Sequence, residues 1–255
     1  MKKFYLIIAG LLCLQSLSAQ FGVNAYYLNN ILNMAPSASS GNGAGIEVFY
    51  GPKEKNFSAG FAFSRCSYGT KTEAIKFNTY GYEVNTNLRV NNDFTNISLY
   101  SRYKLGKLNN FITPFAEGKF GWGFLSTRLH IEESMDMGGC EPVQRNTVYQ
   151  DGSWIAYAGG GLDLKLNGIF RKEKEERNLK AYISLTAGYN FGGKVSYFNP
   201  EHADKTSGHQ HSDVQDYNAT FINIQTQELH EHTIGTIQRA NLSMAEFKLG
   251  IGFRF

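Results

Sequence analysis

In the last eleven residues of the chain every second side chain is apolar. Ala245, Phe247, Leu249, Ile251, Phe253 and Phe255 fall on one face, and Glu246, Lys248, Gly250, Gly252 and Arg254 on the other. A period of two is the period of a β-strand. So sharp a division suits a strand with one face in lipid and the other toward a polar lumen. The pattern recurs eight times, and this repetition limits the folds open to the chain. No segment after residue 20 has the roughly eighteen consecutive apolar residues of a membrane helix, so any crossing of a bilayer must be made by strands.

The seventh stretch sets Ala181, Ile183, Leu185, Ala187, Tyr189 and Phe191 against Tyr182, Ser184, Thr186, Gly188 and Asn190. The sixth sets Trp154, Ala156, Ala158, Gly160, Leu162, Leu164 and Leu166 against Tyr157, Gly159, Gly161, Asp163 and Lys165, and the fifth sets Ala116, Gly118, Phe120, Trp122 and Phe124 against Glu117, Lys119, Gly121 and Gly123. Four further stretches, 21–28, 43–50, 57–66 and 93–105, follow the same rule less uniformly. The links between stretches alternate in length. Short ones cover 51–56, 106–110 and 167–178, and long ones cover 29–42, 67–92, 128–150 and 198–239. Membrane barrels have short periplasmic turns and long extracellular loops, so eight strands return both termini to the periplasm. The expected fold is all-β: an antiparallel up-and-down transmembrane β-barrel of eight strands. Ten strands is the alternative, if 67–92 forms its own hairpin around 80–90.

Residues 1–19 have the layout of a secretory signal peptide, with Lys2 and Lys3, an apolar run from Phe4 to Leu14, and Leu17-Ser18-Ala19 before the expected start of the barrel at Gln20. The whole chain carries 25 Lys and Arg against 22 Asp and Glu. Loss of the two signal lysines leaves it near neutral, which gives no sign of a nucleic-acid partner. An exported chain meets an oxidising compartment. Cys66 and Cys140, on neighbouring hairpins, are thus a candidate disulfide that the sequence permits without demanding it.

The alternating strands and the terminal run Gly250-Ile251-Gly252-Phe253-Arg254-Phe255 resemble the outer-membrane β-barrels of OmpA/OmpX type, over residues 20–255. The resemblance implies a Gram-negative outer membrane, a lipid-embedded monomer, and recognition of the last strand and its terminal Phe255 by the barrel-assembly machinery. The peptidoglycan-binding domain that follows some such barrels is not expected here. Such barrels include adhesins, structural proteins, channels and a few enzymes, so the fold does not fix the activity.

Parity places Glu47, Glu117, Asp163 and Glu246 in the lumen with Arg102, Lys119, Lys165 and Lys248, four charges of each sign. An eight-stranded barrel is just wide enough for side chains to fill, and charges in such a space must pair. The expectation is a static plug, with a salt-bridged gate to a small-solute channel as the alternative. Five of the six histidines lie in 198–239. His209 with His211, and His230 with His232, each share a face of extended backbone, and two such pairs meeting across a hairpin would suit zinc, copper or nickel. His230-Glu231-His232 lacks the spacing of a zinc-protease helix. With no His, Ser and carboxylate set assignable on the strands, no enzyme is expected. The expected role is structural or surface-binding, carried by the long loops toward an unidentified extracellular ligand.

Overall fold

The computed structural model describes residues 19–32, 39–52, 55–79, 82–109, 111–132, 140–142, 146–166, 180–199, 214–223, 227 and 229–255. The expected signal peptide before residue 19 lies outside them. The described residues form ten strands and no helix: β1 (Ala19–Leu32), β2 (Ser39–Pro52), β3 (Phe57–Thr79), β4 (Tyr82–Lys104), β5 (Ile112–Glu132), β6 (Cys140–Pro142), β7 (Asn146–Lys165), β8 (Lys180–Asn199), β9 (Val214–Asn223) and β10 (Leu229–Arg254).

Eight of these close a barrel in the order β1-β2-β3-β4-β5-β7-β8-β10, and β10 pairs back onto β1. All its pairings are antiparallel. The closing seam runs from Gly22 opposite Arg254 to Leu32 opposite Met244. At its foot the Phe255 amide donates to the Phe21 carbonyl at 2.9 Å, and the two rings lie 6.5 Å apart. Closure leaves no unpaired edge along the wall, as a strand in lipid requires.

The wall is inverted relative to a soluble protein. Phe61 is 66 % exposed on its outer face while Glu47 is fully buried inside. Leu99, Ile97, Phe120, Trp122, Trp154, Leu185, Phe247, Leu249 and Ile251 join Phe61 in a continuous apolar outer surface. A patch of this extent has no place in water and is the surface a bilayer covers.

The long links differ from expectation. Much of 29–42, 67–92, 128–150 and 198–239 is strand, because the ladders continue past the membrane after the lipid-facing alternation has ended. β3 and β4 pair without interruption from Phe57 opposite Tyr103 up to Thr79 opposite Tyr82, apart from one bulge between Ser67 and Gly69. The hairpin in 67–92 therefore lengthens two wall strands and adds none, and the count stays at eight. β9 pairs with the upper part of β10, and the short β6 pairs with β9, outside the closed ring. Further register shifts fall between Thr127 and Arg128 and between Asn241 and Ser243, in the same half of the barrel. Bulges at a barrel rim increase twist and redirect side chains. After the shift on β8, Val195 and Tyr197 turn inward, whereas below it Tyr182, Ser184 and Thr186 do.

The opposite end is compact. Asn109 Oδ1 accepts from the amides of Phe111 and Ile112 at 2.9 and 2.7 Å, closing the turn between β4 and β5. Gly106 takes φ +123°, a conformation that favours glycine.

Candidate functional site

The lumen has three tiers, two filled by side chains and one open. The middle tier is a charge network. Glu47 on β2 receives Lys248 at 3.0 Å, Lys119 at 3.5 Å and Arg102 at 3.5 Å, and also accepts from the Asn24 amide at 3.0 Å. Glu117 pairs with Arg102 at 2.9 Å and with Lys248. Glu246 pairs with Lys119 at 3.1 Å and accepts from Asn190 at 3.1 Å. Asp163 pairs with Arg102 at 3.2 Å and Arg254 at 3.3 Å. Lys119 of β5 to Glu246 of β10, and Arg102 of β4 to Glu47 of β2, join strands that are not neighbours in the wall, so the bonds cross the lumen.

Aromatic rings shape this tier. The Arg102 guanidinium lies 3.8 Å from the Phe115 ring centre, and Lys119 and Lys248 approach the rings of Tyr26 and Tyr157 at 4.7–5.6 Å. The rings have room because glycine stands beside them. A Cβ at Gly188 would meet the Tyr157 ring at 2.4 Å, and one at Gly252 the Tyr182 ring at 2.2 Å. An aromatic ring lying over a glycine of the next strand is a recognised way of fixing register.

Seven of the eight charges expected in the lumen belong to the network: Glu47, Arg102, Glu117, Lys119, Asp163, Glu246 and Lys248. Lys165 is the exception. It sits at the end of β7, only partly buried, and forms no salt bridge among the described residues. Arg254, the last residue of β10, occupies the fourth cationic place by reaching Asp163. Parity was right for both residues, and height along the barrel decides between them.

Above the charges, toward the long hairpins, lies an apolar tier that strict alternation did not foresee. Leu28, Leu32, Phe94, Leu125, Ile155, Val195, Leu242 and Met244 meet there with Tyr26, Tyr68, Tyr197 and Cys66. Its signal in the sequence is the apolar doublet, as in Tyr27-Leu28, Phe124-Leu125 and Trp154-Ile155, where one residue serves lipid and its neighbour the lumen. Asn92 spans this level, donating to the Phe198 carbonyl at 3.2 Å and accepting from Thr127 at 2.7 Å.

Cys66 is a free thiol in this tier and accepts from the Asn30 amide at 3.2 Å. The candidate bridge from Cys66 to Cys140, which the sequence permits without demanding it, is not formed by this free thiol. Cys66 points into the packed lumen, whereas the backbone of Cys140 pairs with Asn223 in the added sheet outside the ring.

Below the charges, at the short-turn end, the lumen opens as a vestibule of about 500 Å³. Lys55, Lys104, Lys107, Lys165, Lys180 and Arg254 line it with Asp163 as the sole carboxylate among the described residues.

On the outer face, Arg65 at 2.7 Å and Arg128 converge on Asp93, which also accepts from Ser67 at 2.6 Å. These residues lie on three adjacent strands, β3, β4 and β5, whereas the sequence analysis left Ser67 and Arg128 in the long links and did not single the cluster out.

His209 and His211 lie outside the described residues. The backbone register sets His230 opposite Phe221 and His232 opposite Ala219. Among the described residues the cross-strand neighbours of the second histidine pair are therefore Phe221 and Ala219 of β9, which begins at Val214.

No protein-family model and no curated protein matches the chain. Among solved structures it is similar to the attachment invasion locus protein Ail of Yersinia pestis, with 9 % identity, 94 % of this chain and 100 % of that one covered, and a TM-score of 0.45. Neisserial surface protein A matches with 9 % identity, 92 % and 95 % coverage, and a TM-score of 0.45. A major outer membrane protein of Thermus thermophilus matches with 11 % identity, 93 % and 99 % coverage, and a TM-score of 0.43. Such identities carry no function across. On the strength of its own closed ring, apolar outer wall and polar lumen, the chain has the architecture of an eight-stranded antiparallel transmembrane β-barrel.

Proposed function

We propose that this barrel is a non-conducting outer-membrane protein whose role is structural or surface-binding, exercised by the sheet that rises beyond the bilayer. The filled lumen carries this reading. A path through it would have to displace the apolar tier and then separate ion pairs that join non-neighbouring strands. The long strands β3, β4 and β10, with β9 and β6 added outside the ring, give the same end a large area for contact. The short turns and both termini are assigned to the periplasm, the usual orientation of such barrels. Residues 1–19 serve as the export signal and Phe255 as the terminal residue read at assembly.

Maleimide labelling of intact cells tests the orientation. Cysteine introduced at Thr220 is expected to label and cysteine at Lys107 is not, in a Cys66→Ser, Cys140→Ser background. The reverse pattern would refute the assignment. Cells carrying the full barrel, compared on glycan and matrix-protein arrays with cells in which residues 214–228 are replaced by a short turn, then test the binding role. Equal adhesion of the two would remove it.

A further inference from the structure

We infer that the vestibule at the short-turn end is a binding site for a small multivalent anion bearing phosphate groups. The first ground is charge. In the middle tier every cation has a carboxylate partner. In the vestibule Lys55, Lys104, Lys107, Lys165 and Lys180 form no salt bridge among the described residues, and Asp163 is already committed to Arg102 and Arg254. The sequence between β7 and β8 brings no net negative charge in its charged run. Its run from Arg171 to Arg177 has four basic residues and three acidic ones.

The second ground is geometry. Lys104 and Lys165 occupy inward positions on β4 and β7, and Lys180 does so at the start of β8, so three strands direct ammonium groups into one space of about 500 Å³. That volume lies within the roughly 300–1,000 Å³ of small-molecule sites. Backbone bonds hold the rim in place. The amide of Lys104 donates to the Asn56 carbonyl at 2.8 Å, and that of Lys165 to the Phe111 carbonyl at 2.8 Å.

The third ground is unused hydrogen-bonding capacity. The buried Thr113 hydroxyl and the Arg254 Nε have no hydrogen-bond partner among the described residues, and both residues line the vestibule. Like charges gathered in a concave site focus a field that attracts an anion. A phosphate-bearing anion supplies several acceptors at once for the ammonium groups.

Two sources share this chemistry: a soluble phosphorylated solute and the headgroup of an anionic phospholipid at the mouth. The site belongs to the chain whichever compartment it faces, and only the choice of source rests on the orientation proposed above. Inorganic pyrophosphate is titrated calorimetrically into the refolded full-length protein in dodecyl maltoside. Saturable one-to-one binding is expected, weakened about tenfold or more in the triple variant Lys104→Gln, Lys165→Gln, Lys180→Gln and unchanged in Arg65→Gln, Arg128→Gln on the outer wall. Folding of each variant is read from its heat-modifiable gel migration. Pyrophosphate is also expected to raise the urea midpoint of the parent and not of the triple variant. No saturable binding, or equal binding by a folded triple variant, would overturn the inference. Mixed micelles containing phosphatidylglycerol then separate the sources. Displacement of pyrophosphate through the same lysines identifies a lipid headgroup, and undiminished binding identifies a soluble anion.

Discussion

The middle of the lumen and its vestibule use the same residue types to opposite ends. In the middle, Arg102, Lys119 and Lys248 share Glu47, Glu117, Asp163 and Glu246 and are further covered by aromatic rings. In the vestibule, among the described residues, five lysines gather around one carboxylate that is already engaged. Paired and buried, a charge is a structural element whose partner cannot be removed cheaply. Unpaired and wetted at a mouth, it contributes little to stability and remains available to a ligand. Depth in the barrel decides which of the two a lysine becomes.

The largest effect is expected from breaking the middle tier. Arg102→Met removes one partner from each of Glu47, Glu117 and Asp163, leaves the buried carboxylates a cation short, and should destabilise the folded barrel by about 3–5 kcal/mol in reversible urea unfolding from micelles. A loss under about 1 kcal/mol would mean that water already screens this tier. Next comes the wall itself. Leu249→Arg, one residue from Lys248 but on the lipid side, should cost about 2–4 kcal/mol if Leu249 lies near the bilayer midplane. A neutral outcome would contradict the assigned face of β10. Gly188→Val drives a side chain into the Tyr157 ring and should cost about 1–3 kcal/mol, read by the same unfolding curves. Smallest is Lys165→Gln in the vestibule. It should alter stability by no more than about 0.5 kcal/mol in either direction, because the ammonium is partly exposed and forms no ion pair among the described residues. A cost near that of Arg102→Met would abolish the distinction between the two regions.

The wall was legible in the sequence because lipid imposes a strict rule, and residues such as Leu249 and Lys248 could be assigned to opposite faces by counting alone. The middle tier was legible for the same reason, since four inward acids demand four inward bases. Three features were not. Parity fixes the face of a residue but not its height, so Lys165 and Arg254 could not be told apart. The apolar tier was hidden because Leu125 and Ile155 follow lipid-facing Phe124 and Trp154, and alternation treats each doublet as a single apolar position. Most of the chain beyond the membrane was read as loop because strands in water need no lipid-facing row. Pairing such as Thr72 opposite Arg89 is set by the continuing ladder, which leaves no simple pattern in the side chains.

The central claim is that the lumen is closed by its own side chains. Reconstitution of the refolded protein into planar bilayers in concentrated potassium chloride tests it directly. The account predicts no steady conductance from the parent, and none from Lys119→Gln or Glu246→Gln, because the apolar tier still blocks the path. Steady open levels in the parent, altered in size or gating by either replacement, would contradict the plug and make the charge tier the gate of a channel.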